Sequence, residues 1–242
     1  TALVYNLSKS WVLSGNVAYS ERAPSTEELY TNGKHEATES FAIGSERLQK
    51  EASIGFDVTL RKTGGRITGE LTPYYNHFDN YIFQQATGRQ VTEAGAFTEE
   101  FYGFEAGADI KLLSEKYSSL NLRLLSDYTR ARNKTESINL PRIPPLRLGT
   151  ELEYSYKSFT GSAEWQHAFE QNKFETGDTK TGSYSLFNLR GSYTIGVKNN
   201  TLELYTSIEN LSNELAFSST SFRKAKAPLP GRSFNVGMKF SF

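Results

Sequence analysis

The chain has 242 residues, with 27 Lys and Arg against 27 Asp and Glu, so its formal net charge at pH 7 is zero. This balance argues against a nucleic-acid-binding protein, because such proteins usually carry a basic excess or a basic stripe. Cysteine is absent, which excludes disulfides, iron–sulfur clusters and thiolate zinc sites. No segment approaches the roughly 18 consecutive apolar residues that a membrane-spanning helix needs.

Aromatic residues make up 13% of the chain, with 16 Phe, 14 Tyr and 2 Trp beside 19 Gly. Many aromatic and glycine residues in an otherwise polar chain predict an all-β protein. Two architectures fit: a soluble sandwich or barrel, and a membrane β-barrel with apolar residues outside and polar residues inside.

Alternation of apolar and polar residues predicts strands along the whole chain, because a helix would need apolar spacing near 3.6. The clearest example is 51–61, where Ala52, Ile54 and Phe56 alternate with polar residues. Eleven strands are predicted, at 2–7, 11–19, 51–61, 65–78, 102–112, 120–128, 146–156, 159–169, 187–195, 202–208 and 234–242. Several exceed the ~5–6 residues usual in soluble proteins and reach the ~9–11 of a tilted membrane strand.

Short and long connections alternate between these strands without exception. The short ones are 8–10, 62–65, 114–118, 157–158 and 196–200, and the long ones are 21–50, 79–98, 131–145, 171–182 and 212–231. This alternation is typical of an outer-membrane barrel, with short periplasmic turns and long extracellular loops.

An odd number of strands predicts an incomplete barrel, since bacterial single-chain barrels normally have an even number. Eleven strands are half of a 22-stranded barrel, the size class with a plugged lumen. The alternative is a complete ten-stranded barrel that starts at Ser10, with residues 1–9 as a tail.

Four segments resemble landmarks of TonB-dependent outer-membrane receptors. Residues 20–30 read S-E-R-A-P-S-T-E-E-L-Y and resemble that family's R-A-P-S-x-x-E-L-Y segment. The other three are I-E-N-L-S-N at 208–213, P-G-R-S-F at 230–234 and L-P-R-I-P-P at 140–145. The resemblance implies that residues 1–242 are the C-terminal part of the receptor barrel, without the plug and the first half of the barrel.

A narrower resemblance concerns the loop at 29–38, which reads L-Y-T-N-G-K-H-E-A-T. It is similar to the L-Y-x-x-G-x-H-x-A-T of zinc-uptake receptors of the ZnuD type, and residues 80–82 and 171–172 also resemble that branch. The resemblance implies that His35 is an external metal ligand. Glu36 and Glu39 flank it, and imidazole with carboxylates suits Zn²⁺.

Haem and ferric siderophores stay open as alternative substrates. Haem receptors of the superfamily carry a histidine between an R-A-P segment and an N-P-N-L segment. Here residues 44–48 read G-S-E-R-L and lack the N-P-N.

The family resemblance implies TonB-dependent, energy-driven uptake of a scarce metal or metal complex, zinc first, at the outer membrane of a Gram-negative bacterium. No prosthetic group is expected, and zinc or haem enters as cargo. The expected partners are outer-membrane lipid, an external metal or chelate, and the TonB-ExbB-ExbD system, reached through the missing N-terminal region. No nucleic acid is expected.

The remaining chemistry-bearing residues have simpler interpretations. His77 and His167 are expected in interfacial aromatic belts rather than in metal sites. Carboxylates and arginines that interleave on the polar strand faces predict a hydrated lumen wall. Enzyme motifs such as G-x-S-x-G and H-E-x-x-H are absent, so no enzyme is predicted, although the ten-stranded alternative would permit a porin or a hydrolase.

Apolar residues occupy every second position of the last predicted strand and end on Phe242. This pattern resembles the C-terminal signal of outer-membrane barrels. The apolar residues of this run are Phe234, Val236, Met238, Phe240 and Phe242.

Overall fold

The structure is a computed structural model that describes residues 1–36, 40–88, 91–134, 138–174, 178–198, 200–224 and 226–242. The side chains of residues 35 and 84–94 lie outside this description. The first strands are β1 (Ala2–Asn6), β2 (Trp11–Arg22), β3 (Asn32–His35), β4 (Ser40–Ile43), β5 (Glu51–Lys62) and β6 (Ile67–Gly88). The others are β7 (Val91–Ser114), β8 (Ser118–Asn133), β9 (Arg147–Tyr156), β10 (Phe159–Ala168), β11 (Tyr184–Val197), β12 (Asn200–Glu209) and β13 (Ser233–Ser241).

Eleven strands form one continuous sheet in the order β1-β2-β5-β6-β7-β8-β9-β10-β11-β12-β13. Each pairs antiparallel with its neighbours. The predicted all-β fold and the eleven-strand path are therefore confirmed. A short helix, α1 (Thr26–Tyr30), and the hairpin β3–β4 lie in the loop after β2. Among the described residues, no helix has the length and apolar character required to cross a membrane.

The strand register places apolar and polar side chains on opposite faces, since successive side chains alternate. Phe56 is opposite Tyr75, and Tyr75 is opposite Tyr102, so these rings share the outer face. Large apolar side chains remain exposed along this face, among them Leu13, Val17, Phe56, Val58, Leu71, Leu152, Phe187 and Leu204. An apolar outer face and a polar inner face are the arrangement of a membrane barrel wall.

Residues 1–9 are not the tail that the ten-stranded alternative requires. β1 pairs with β2 from Ala2 opposite Asn16 to Asn6 opposite Val12, and β5 occupies the other edge of β2. A ten-stranded barrel would have to close between β2 and β13, and β2 has no free edge for that closure. Among the described residues, the two ends of the eleven-strand path are β1 and β13, and each pairs within it on one side.

The predicted loop at 79–98 is wrong, because β6 continues to Gly88 and β7 begins at Val91, and the two strands pair antiparallel there. Asn80 adopts φ of 56°, and the pairing shifts register between Phe78 and Tyr81, which marks a bulge. Backbone pairing in a hairpin does not require apolar alternation, so it extends beyond the apolar wall. β4 then adds to this hairpin, pairing in parallel with β7 at 41–43 and 91–93.

Candidate functional site

The inner face of the sheet carries charged side chains that pair across neighbouring strands. Asp109, Arg123 and Glu151 lie opposite one another on β7, β8 and β9. The Arg123 guanidinium is 2.8 Å from the Asp109 carboxylate and 3.8 Å from that of Glu151. This is the interleaving of carboxylates and arginines that the sequence predicted for a lumen wall.

The same pairing recurs along the inner face. Arg147 lies 2.9 Å from Asp127, and Arg190 bridges Glu164 at 2.9 Å and Glu209 at 3.3 Å. These arginines are about half exposed, and exposed ion pairs contribute only about 0–1 kcal/mol each. The pairs therefore balance the charge of the wall and contribute little to its stability.

The R-A-P-S segment holds the start of the loop after β2 against the end of the sheet that carries the long loops. We call the contacts of Arg22, Ser25 and Glu28 the brace. Arg22, the last residue of β2, binds Glu28 at 2.8 Å and Glu51 at 3.1 Å. Ser25 caps α1, accepting from the Glu28 N–H at 3.2 Å, and its own N–H donates to the Glu28 carboxylate at 2.7 Å. This capping box satisfies two donors that a helix start leaves unpaired. The motif thus fixes how the loop leaves the wall.

Glu28 is ionised in this brace. Burial alone would raise its pKa, but hydrogen bonds from Arg22 and from the Ser25 backbone outweigh burial and lower the pKa below the usual value. The loop returns across the same helix, where the N–H groups of Gly44 and Ser45 donate to the carbonyls of Thr31 and Glu28 at 2.6 and 2.9 Å.

Gly44 is required by this close approach. A Cβ at this position would lie 2.7 Å from the Leu29 carbonyl carbon and 2.8 Å from the Thr31 nitrogen. Both are backbone atoms, so the loop would have to move to accept any side chain.

The backbone of His35 ends β3, opposite Ser40 on β4. Since β4 also pairs with β7, the segment predicted to bind metal is attached to the β6–β7 hairpin. The side chain of His35 and residue Glu39 lie outside the described residues. Across the described part of the chain, no group of three or more His, Cys, Asp or Glu side chains is placed to hold a metal ion. The assignment of His35 as a ligand stays a prediction.

The other two histidines have ordinary partners. His167 stacks on Trp165 with ring centroids 5.8 Å apart, meets Phe169 edge-on at 4.6 Å, and shares a 2.8 Å hydrogen bond with Ser185. His77 lies 3.4 Å from Asp79. The rings around His167 form a row on the outer face, as an aromatic belt requires.

The I-E-N-L-S-N and P-G-R-S-F segments fold against each other through Asn210. This residue is 4% exposed and adopts φ of 50°. Its side chain donates to the carbonyls of Glu214 and Pro230 at 2.9 and 3.1 Å and accepts from the Glu214 N–H at 2.8 Å. Asn210 thus joins the two family landmarks in a hydrogen-bonded corner between the end of β12 and the start of β13.

Three long loops meet at the same end of the sheet, in contacts that the sequence did not predict. The guanidinium of Arg142 lies 4.2 Å from the ring of Phe222, and Lys224 binds Asp178 at 2.7 Å. The Ile143 carbonyl accepts from the side chains of Gln171 and Ser219 at 2.8 and 3.2 Å. No local pattern marks these residues, because their partners lie between 28 and 80 positions away in the chain.

Comparison with known proteins identifies the family. The family model described as TonB dependent receptor-like, beta-barrel, matches residues 1–211. The chain belongs to this family. TonB-dependent receptor barrels lie in the outer membrane of Gram-negative bacteria, which confirms the predicted location and makes the long-loop end the extracellular end. The family consists of receptors and transporters, not enzymes.

Individual relatives of this receptor barrel are distant. An iron-regulated outer membrane virulence protein of Vibrio cholerae is 25% identical over 177 residues, which are 67% of this chain and 25% of that protein. The copper transporter OprC has a TM-score of 0.83 at 21% identity, covering 100% of this chain and 38% of its own. The ferric enterobactin receptor of Pseudomonas aeruginosa has a TM-score of 0.75 at 15% identity, covering 99% and 40%. The chain therefore spans well under half the length of these proteins.

Proposed function

We propose that this chain is the C-terminal half of the barrel of an outer-membrane receptor that imports a scarce metal or metal complex. The receptor captures its cargo with the extracellular loops, and the TonB-ExbB-ExbD system supplies the energy through a plug. The observation that carries this proposal is the family match over residues 1–211. The loop contacts at one end and the charged inner wall support capture outside and passage along the wall.

Closure of the barrel needs further strands from the same protein. β1 and β13 each pair on one side only, and an unpaired strand edge in a bilayer costs several kcal/mol per polar group. Eleven preceding strands would pair with both edges and complete a 22-stranded barrel.

Zinc is the first substrate that we propose, and it rests on His35 and its segment. The similar proteins described above are named for copper and iron, so a ferric siderophore has equal support, and haem is the third candidate. All three are cargo rather than resident cofactors. His35 is the residue to vary in order to separate zinc from haem. Imidazole can bind zinc and can also serve as a haem axial ligand, so loss of His35 should affect the binding of only the true cargo.

Uptake by the full-length receptor tests the proposal. A strain that lacks the gene should take up less labelled zinc, ferric siderophore or haem than the parent under metal limitation, and the deficient cargo identifies the substrate. A strain that lacks TonB is the matched control and should show the same deficiency. Uptake unchanged for every cargo, or uptake independent of TonB, would contradict the proposal.

A further inference from the structure

Four cations lie together on the outer face of the wall, at the extracellular end of β8. Arg130 and Arg132 continue the parity of the apolar residues Leu122 and Leu124, and Lys134 follows directly after the strand. Lys173 reaches the same place from the loop 169–183. We call Arg130, Arg132, Lys134 and Lys173 the basic patch.

The basic patch has one carboxylate against its four cations among the described residues. Glu100 accepts from Arg132 and Lys134, each at 3.2 Å. The other two cations have neutral partners. Arg130 donates to the Asn139 amide oxygen at 3.1 Å, and Lys173 donates to the Tyr128 hydroxyl at 3.0 Å.

Nearby carboxylates do not neutralise this excess. Glu170, on the same loop as Lys173, is paired with Lys180 at 3.2 Å. Positive charge therefore remains at this end of the outer face.

Aromatic rings lie directly below the basic patch on the outer face. The row of Trp165, His167 and Phe169 ends beside it, and the ring of Tyr128 lies 6.4 Å from that of Phe104. Such rings mark the level where the hydrocarbon of a bilayer meets its headgroups. Phe169 and Tyr128 also line a cleft of about 200 Å³ together with Arg130, Lys173 and the Glu170 that is paired with Lys180. Through Phe169 the cleft borders the aromatic row of the outer face.

We infer that the basic patch binds the phosphate of an outer-leaflet glycolipid headgroup, with Arg130 and Lys173 as its direct contacts. Arginine forms paired hydrogen bonds to phosphate oxygens, and lysine contributes a point charge. Arg132 and Lys134 are held by Glu100 and add to the local positive potential. This lipid site is separate from the proposed cargo pathway, which lies on the opposite face of the sheet.

Binding of lipid A to the purified full-length receptor in detergent tests this inference. The variant Arg130→Gln/Lys173→Gln should bind bisphosphorylated lipid A about tenfold more weakly than wild type. The matched control is Lys116→Gln/Lys157→Gln, which removes two lysines that lie over Tyr117 and Tyr156 at 5.1 and 5.2 Å in the turns at the opposite end. The control should bind like wild type.

Three results would overturn the inference: equal binding by the patch variant and wild type, equal binding of dephosphorylated lipid A, or equally tight binding of inorganic phosphate that displaces lipid A. The last result would indicate a site for soluble phosphate. Heat-modifiable migration on a gel checks that each variant is assembled. If the double variant does not assemble, Lys173→Gln alone gives the same test, because Lys173 lies in a loop and takes no part in strand pairing beyond the contact of its side chain with Tyr128.

Discussion

Asn188 and Asn210 join two strands at a corner of the receptor barrel. The side-chain oxygen of Asn188 on β11 accepts from the backbone N–H of Asn210 at 2.9 Å, just after β12 ends. Asn188 also donates to Glu164 on β10 at 3.0 Å. The turn that leads into the last strand is thus tied to the charged ladder of the inner wall.

Asn210→Ala should destabilise the full-length receptor by about 2–4 kcal/mol, because it removes three partly buried hydrogen bonds to the backbone of Glu214 and Pro230. Alanine also fits the positive φ less well than asparagine. Equilibrium unfolding in lipid vesicles measures the change. Asn235→Ala removes only an exposed 3.2 Å bond to Ser207 and should stay within about 0.5 kcal/mol. Equal stability of the two variants would show that the corner does not hold the last strand.

Glu28→Gln should loosen the loop 23–50, with a dependence on pH. The pKa of Glu28 is lowered in the folded loop, so its stabilisation is fully present above the ordinary value of 4.5 and is lost as the pH falls through the lowered value. Hydrogen exchange of this loop, compared at each pH with Glu27→Gln, should show faster exchange for Glu28→Gln at pH 6. The difference should shrink as the pH falls below 4.5. A difference that does not change with pH would exclude the charge as its cause.

Ser25→Ala should weaken the same loop by about 1 kcal/mol, because it removes the acceptor that caps α1. Limited proteolysis of the assembled receptor measures this change as faster cleavage within 23–50. The exposed variant Ser20→Ala, whose hydroxyl bonds to Ser53 at 2.8 Å on the wall, is the control. Cleavage elsewhere would indicate a general loss of assembly.

Residues 1–242 alone should not form a stable closed barrel, since β1 and β13 each leave one edge unpaired. After refolding in detergent, an unheated gel should show no compact, heat-modifiable monomer, whereas the full-length receptor should show one. A compact monomer of the 242-residue chain would contradict the half-barrel proposal.

Deletion of Phe242 should lower the amount of full-length receptor in the outer membrane much more than Phe234→Leu does. Phe242 is fully exposed and its ring lies 6.4 Å from that of Phe240, so it adds little packing within the chain. Its proposed role is recognition by the assembly machinery. Quantified outer-membrane fractions measure the effect, and equal levels of both variants would show that the terminus acts only as part of the wall.

His35→Ala should weaken zinc binding by the full-length receptor without affecting assembly. Loss of one ligand from a three- or four-ligand site costs affinity heavily, whereas exposed loop substitutions usually change stability by less than about 0.5 kcal/mol. Wild-type binding should also weaken as the pH falls through about 6.5, because neutral imidazole is the form that binds. Titration of both proteins with zinc and with haemin measures the effect.

Haemin gives the alternative outcome of this titration. A variant that keeps zinc binding but loses a haem absorption band would assign His35 to haem. If neither ligand distinguishes the variant from wild type, His35 is not a ligand and the substrate remains open.

The sequence alone determined where the strands of the main sheet lie, because the alternation that defines a strand is a local property with a period of two. The run at 51–61 predicted β5 to within one residue, and the spacing of long and short connections predicted which end carries the loops. The same alternation separated the apolar outer face from the charged inner face before any pairing was known.

The tertiary structure decided what depends on distant partners. The pairing of 79–88 with 91–98, the parallel addition of β4 to β7, and the contact of Arg22 with Glu51 all join segments that no local pattern connects. The family motifs were visible in the sequence, but their roles as a helix brace and a strand corner became clear only from hydrogen bonds across the fold. Backbone pairing and buried polar contacts depend on geometry between segments, and a one-dimensional pattern does not contain that geometry.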